Sequence, residues 1–194
     1  MKYLKYLSNY IFSILYDIYH FFFGNLRNRI QSPSFYKKSK LYPDYLKRGN
    51  MSQGIKSLAE KYCLGKGVDV GAGIWPILGA RVIEIQKDEN AYVIKEHNNS
   101  LDFVFSSHCL EHLDKWHDAL REWYRVLRDG GVLFLYLPHS SYEMWLPGVN
   151  KYHKWSPEPK VIEEFLSKEL KMKIKEISYL PDGYLSFVVI AEKV

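Results

Sequence analysis

A chain of 194 residues has room for one ordinary hydrophobic core and not for two. Hydrophobic residues at 47% and charged residues at 25% give a globular composition, which excludes a disordered or fibrous protein. The net charge of +5 is unevenly spread, with 12 basic and 3 acidic side chains in residues 1–66 and 15 against 19 in the remainder. A basic arm on a mildly acidic domain points to phosphate-bearing partners, either anionic lipid or nucleic acid. The two cysteines, Cys63 and Cys109, lie too far apart in sequence for a metal or redox motif. They suit a reducing compartment, the cytoplasm, rather than a secreted disulfide scaffold.

The first 23 residues have two faces at helical spacing. Leu4, Leu7, Ile11, Ile14, Leu15, Ile18 and Phe22 share one, while Lys2, Lys5, Ser8, Asn9, Ser13, Asp17 and His20 share the other. Asn9 and Asp17 interrupt the apolar run and no small-residue cleavage site follows, which argues against a signal peptide. Asp17 is also expensive at the middle of a spanning helix. A helix lying on the inner face of an anionic membrane fits the pattern better, with residues 1–40 supplying Tyr rings and lysines at the head groups. Packing on the domain or on a second subunit stays open as the alternative. Gly24, Pro33, Pro43 and Gly49 mark residues 24–50 as a linker. The expected organisation is an arm and linker over 1–50 and one domain over 51–194, entered by a short helix from Gln53 to Tyr62.

From Lys66 the pattern becomes that of an α/β domain. Residues 67–70 read as a strand, followed at once by Gly71-Ala72-Gly73, where a ligand can approach the backbone. Residues 80–85 read as a second strand with Glu84 near its end. In nucleotide-binding sheets a carboxylate there accepts hydrogen bonds from ribose hydroxyls, though a solvated strand residue is the alternative. A strand over 101–107 leads into His108-Cys109-Leu110-Glu111-His112. A helix follows, with Leu113, Trp116, Leu120, Trp123 and Leu127 on one face, Asp114 as its cap and Gly130-Gly131 as its end. Residues 132–137 are continuously apolar, as in a strand buried on both faces. Ser156-Pro157-Glu158 opens another helix, buried through Val161, Ile162, Phe165, Leu166 and Leu170. Strands near 172–179 and 184–192 flank Pro181-Asp182-Gly183. The fold expected is Rossmann-like: a mostly parallel, doubly wound sheet with an antiparallel C-terminal edge and reduced helices in the first half. Only ten residues separate Val70 from Arg81, and only fifteen separate Ile85 from Leu101, room for a short strand at 91–95 and no full helix.

In these segments the chain resembles the class I S-adenosylmethionine-dependent methyltransferases, particularly the type 11 group. The matching runs are Val68-Asp69-Val70-Gly71-Ala72-Gly73, residues 99–108, Leu110-Glu111-His112-Leu113 and Leu127-Arg128-Asp129-Gly130-Gly131-Val132-Leu133. The resemblance implies S-adenosyl-L-methionine as cofactor, with Asp69, Gly71, Ala72 and Gly73 at its methionine end and Glu84 on its ribose. It places Ser107 and His108 by the sulfonium, and Asp88 or Asn90 by the adenine.

Methyl transfer needs an aligned acceptor, and a hydroxyl acceptor also needs a base. His139, after the strand end Leu137-Pro138, is the first candidate, followed by His108 and His153; for each the alternative is a structural histidine. His112 reads as the first turn of its helix, and no metal ligands are assigned. Tyr142, Trp145, Tyr152 and Trp155 in the 139–156 loop suit a sugar or flat acceptor, or else anchor the loop. Pro76, standing where its third glycine would be, argues against a dehydrogenase. The expected function is therefore a methyltransferase, leaning to O-methylation of a lipid-linked or polymeric glycan. The alternatives are an inactive methyltransferase-like scaffold at the membrane and a nucleic-acid methyltransferase, which the basic arm alone supports, with no separate RNA-binding module recognisable.

Overall fold

The computed structural model describes residues 52–73 and 76–194, so the amphipathic arm and linker assigned to 1–50 lie outside the described residues. Helix α1, Ser52–Tyr62, leads into β1, Gly67–Val70, and β2, Ala80–Ile83. After an irregular stretch come β3, Leu101–Ser107, a 3-10 turn at Leu110–His112 and α2, Trp116–Val126. The rest is β4, Leu127–Pro138, α3, Pro159–Glu164, with a wide turn over Phe165–Glu169, β5, Lys173–Ile177, and β6, Ser186–Glu192.

These strands form one sheet in the order β2-β1-β3-β4-β6-β5. Strands β1 to β4 run parallel, and β6 pairs antiparallel with both β4 and β5. The C-terminal hairpin is thus the antiparallel edge that the sequence predicts, with β5 outermost. Alternation along β4 divides the core into two layers. Leu133, Leu135 and Leu137 face α2 and α3, while Phe134 and Tyr136 face α1. Phe105 and Phe134 meet in the second layer with centroids 5.2 Å apart. Burying each such ring contributes roughly 2–3 kcal/mol.

Several boundaries differ from the sequence reading. No strand forms at 91–95; Asn90 and Val93 make only an isolated bridge. The backbone of this short stretch is satisfied by side chains instead. Trp123 Nε1 donates to the Ala91 carbonyl at 2.8 Å, and the Arg125 guanidinium donates to the carbonyls of Ile94 at 2.9 Å and Glu96 at 3.0 Å. Lys115, not Asp114, occupies the N-cap of α2, and Asp114 accepts from Lys115 N and Tyr92 Oη instead. Leu127 already belongs to β4, and Gly130-Gly131 lies in an irregularity of that strand, between the Leu101–Leu127 and Phe103–Val132 pairs. A Cβ on Gly131 would stand 2.7 Å from the Arg128 carbonyl. Helix α3 begins at Pro159 behind Glu158, two residues later than predicted; a proline suits the first helical position at 157 and at 159 alike, and the chain takes the later one. Val161 is consequently exposed, while Ile162, Phe165, Leu166 and Leu170 are buried.

The chain end is tied down by Lys193. Its Nζ donates to the carbonyls of Tyr124 and Leu127, at 2.9 and 2.8 Å, and to Asn99 Oδ1 at 2.7 Å. A cation suits this place, where α2 ends and its dipole is negative. Among the described residues no helix is long and apolar enough to cross a membrane.

Candidate active site

The C-terminal ends of β1, β2 and β3 gather the predicted residues. Gly71 has φ +76° and donates to the Ile83 carbonyl at 2.9 Å, so the chain turns sharply off β1. A Cβ here would stand 2.6 Å from Cys109 Sγ. Gly73, with φ +59°, has open space where a side chain would be, and its amide donates to Glu84 Oε1 at 2.6 Å. Glu84 is thereby seated against the glycine loop, and Ala72 lies half-buried between the two glycines.

Asp69 sits beneath this loop, almost fully buried. Its Oδ2 accepts from Ile77 N at 3.0 Å, while its Oδ1 is buried without a partner. Burial pushes its carboxyl up to about 7, opposed by the Ile77 hydrogen bond and aided by the nearby Glu84 charge. The Ser107 hydroxyl at the end of β3 is likewise buried and unpartnered. Asp88 and Asn90 are occupied within their own segment: Asp88 lies 3.9 Å from Lys95 Nζ, and Asn90 Oδ1 accepts from Tyr92 N at 2.8 Å.

The histidine candidates separate. His139 uses both ring nitrogens in its own surroundings, Nε2 against the Tyr179 carbonyl at 3.1 Å and Nδ1 against Ser141 Oγ at 2.8 Å. His108 follows β3 directly with φ +50° and packs edge-on against Trp145 and Tyr136. Its Nε2 lies 2.8 Å from Ser186 Oγ, and burial lowers its pKa well below the ordinary value. His112 lies in the 3-10 turn rather than in α2. Of the loop aromatics, Tyr142 and Trp145 are buried and Trp155 stacks on Trp116 at 4.4 Å, so these three anchor the loop; only Tyr152 is exposed.

Two residues escaped the sequence reading. Cys109 closes against Gly71, its thiol pushed up to about 12 chiefly by burial. Glu111 is fully buried with its carboxyl raised to about 8, also by burial. An acid between two leucines and flanked by histidines was its only signal in sequence; Cys109 had none.

A glycine turn after the first strand, an acid after the second and a parallel sheet closed by an antiparallel strand define a Rossmann-like fold of the class I methyltransferases. The residues fit the S-adenosyl-L-methionine of that class: an open backbone at Gly73, the Glu84 carboxylate beside it, and unpartnered oxygens on Asp69 and Ser107. Residues 55–135 match the type 11 family, described as a methyltransferase domain. The match covers residues 55–135 and, with the site just described, supports an S-adenosylmethionine-dependent methyltransferase.

Solved structures share the fold. A methyltransferase from Archaeoglobus fulgidus is 15% identical with a TM-score of 0.55, covering 80% of this chain and 100% of its own. One from Thermotoga maritima is 16% identical with a TM-score of 0.52, covering 79% and 99%. A Pyrococcus horikoshii protein is 14% identical with a TM-score of 0.57, covering 85% and 95%. No curated protein matches the chain.

Proposed function

We propose that this methyltransferase acts on a hydroxyl oxygen, with His108 as the base. The observation that carries this reading is the ring of His108 at the end of β3. Ser186 Oγ gives its own hydrogen to the Tyr184 carbonyl at 3.1 Å, so it accepts from His108 Nε2 and leaves Nδ1 as a lone pair. In that tautomer the neutral imidazole, with Nδ1 3.5 Å from the unpartnered Glu111 carboxyl, is placed to take the acceptor's proton beside an acid that stabilises the resulting charge. S-adenosyl-L-methionine, when bound, supplies a methyl group already activated by its sulfonium. Asp69, Gly71 and Gly73 would hold its methionine end and Glu84 its ribose, while Trp145 packs His108 in place.

The acceptor is a lipid-linked or polymeric glycan, and residues 1–50 act as an arm that brings the domain to an anionic membrane. Support comes from the two-faced, basic sequence of the arm and from the exposed ring of Tyr152 in the loop beyond His108. The test is transfer of labelled methyl to membrane glycan fractions. Label should be recovered as an alkali-stable methyl ether, and His108→Asn should lower kcat while leaving S-adenosylhomocysteine binding intact. Label recovered as a methylamine overturns the hydroxyl acceptor. Deleting residues 1–50 should abolish salt-sensitive binding to anionic vesicles, and a full-length chain that ignores such vesicles overturns the membrane arm.

A further inference from the structure

Three imidazoles converge on one carboxylate oxygen beside the end of β3. Glu111 is fully buried, and neither of its side-chain oxygens has a hydrogen-bond partner. Around its Oε1 stand His108 Nδ1 at 3.5 Å, His112 Nε2 at 3.7 Å and His153 Nε2 at 3.8 Å. The tautomer of each ring follows from what its other nitrogen meets. His112 Nδ1 lies 3.1 Å from the Tyr152 carbonyl, and His153 Nδ1 lies 2.5 Å from the Trp145 carbonyl. A carbonyl only accepts, so both Nδ1 atoms carry the hydrogen. His108 carries its own on Nε2, toward Ser186. Every nitrogen that faces Glu111 is therefore a lone pair.

Lone pairs of the buried His108 and His153 face a buried carboxyl oxygen, where such groups are ordinarily satisfied, and that of the partly exposed His112 joins them from the solvent side. One proton on Glu111 would serve a single nitrogen and leave at least one buried imidazole lone pair unmet. A cation satisfies all of them at once. We propose that Glu111, His112 and His153 bind a divalent transition-metal ion of the zinc and cobalt class.

The geometry suits such an ion. The ligand atoms of Glu111, His112 and His153 all lie within 4.8 Å of one another. Tetrahedral bonds of about 2.0–2.1 Å set ligand atoms about 3.3 Å apart, so small side-chain rotations close the site. A nitrogen-rich set favours zinc, cobalt or nickel over magnesium or calcium, which take oxygen ligands. The backbone carbonyls behind His112 and His153 fix ring orientation as outer partners of metal-bound histidines do. His153 is 2% exposed and His112 is 40% exposed, which gives the ion a deep seat and a route from solvent. Glu111 and His112 belong to the turn after β3, and His153 to the connection between β4 and α3. The ion would fasten that connection over the acceptor end of the sheet. This inference does not depend on which acceptor is methylated.

The test is titration of chelator-treated, full-length protein with Co2+, followed by visible absorption and calorimetry. One equivalent should bind, develop a tetrahedral cobalt spectrum and be displaced by Zn2+. His112→Ala, a change at a partly exposed position, should weaken binding at least ten-fold with an unchanged melting curve in chelator; Glu111→Gln should do the same. Failure of the folded protein to bind Co2+ overturns the proposal, as does wild-type affinity in both variants. A protein that binds S-adenosylhomocysteine but no Co2+ loses the metal site and keeps its methyltransferase reading.

Discussion

Gly71 and Gly73 both have positive φ, yet a side chain would meet different things at the two positions. At Gly71 a Cβ collides with the Cys109 side chain as well as adopting a left-handed backbone. At Gly73 it meets nothing, so only the backbone term of about 1–2 kcal/mol remains. Gly71→Ala should therefore lower the melting temperature clearly more than Gly73→Ala, which should stay folded and still weaken S-adenosylhomocysteine binding in calorimetry. Equal losses of stability would show that Cys109 yields freely. Asp69 gives a pH-dependent test. Its folded pKa of about 7 lies above the ordinary 3.8, so the unfolded chain ionises first and the native state loses stability as pH rises between those values. The shift corresponds to at most about 4 kcal/mol at pH 8. Asp69→Asn keeps an acceptor for Ile77 N without that loss. It should match the wild type near pH 4 and melt at a higher temperature near pH 8, as thermal denaturation across pH would show.

At the scale of elements, the stretch from Glu84 to Ser100 is held by side chains in place of a ladder. Arg125 is the main tie, reaching two carbonyls and Asn98 Oδ1 from α2. Arg81 adds a paired contact with Glu89 at 2.8 and 3.0 Å. Removing the Arg125 guanidinium leaves those acceptors short of donors, a loss of about 2–3 kcal/mol. Arg125→Ala should speed amide exchange around residues 93–98 while β3 and β4 keep their protection. Uniform exchange across the sheet would mean that this segment and the core open together.

For the whole molecule, Lys193 joins the last residues of the chain to the end of α2 and to Asn99. Lys193→Ala should cost about 1–2 kcal/mol and lower the melting temperature by a few degrees, measured by calorimetry. An unchanged midpoint would show the C-terminal strand held by its ladder alone.

Much of the architecture was legible in the sequence because local pattern and tertiary demand agree there. The apolar run at 132–137, the glycines after residue 70 and the hairpin around Asp182 specify their states without reference to distant residues. Boundaries were less legible where two rules competed, as at Pro157 and Pro159, or where Leu127 continues a helical stripe and yet enters a strand. The glycine loop and Glu84 were readable because backbone freedom and a strand-end acid carry a signal in one dimension. What only the tertiary structure decided is which side chains meet. His139 looked better placed than His108, and nothing local shows that its nitrogens are taken by Tyr179 and Ser141. Glu111 and His153 stand 42 residues apart in sequence, and only the folding of the β4–α3 connection over the end of β3 brings them to 3.8 Å. Convergence of that kind comes from chain topology, which periodicity and composition do not encode.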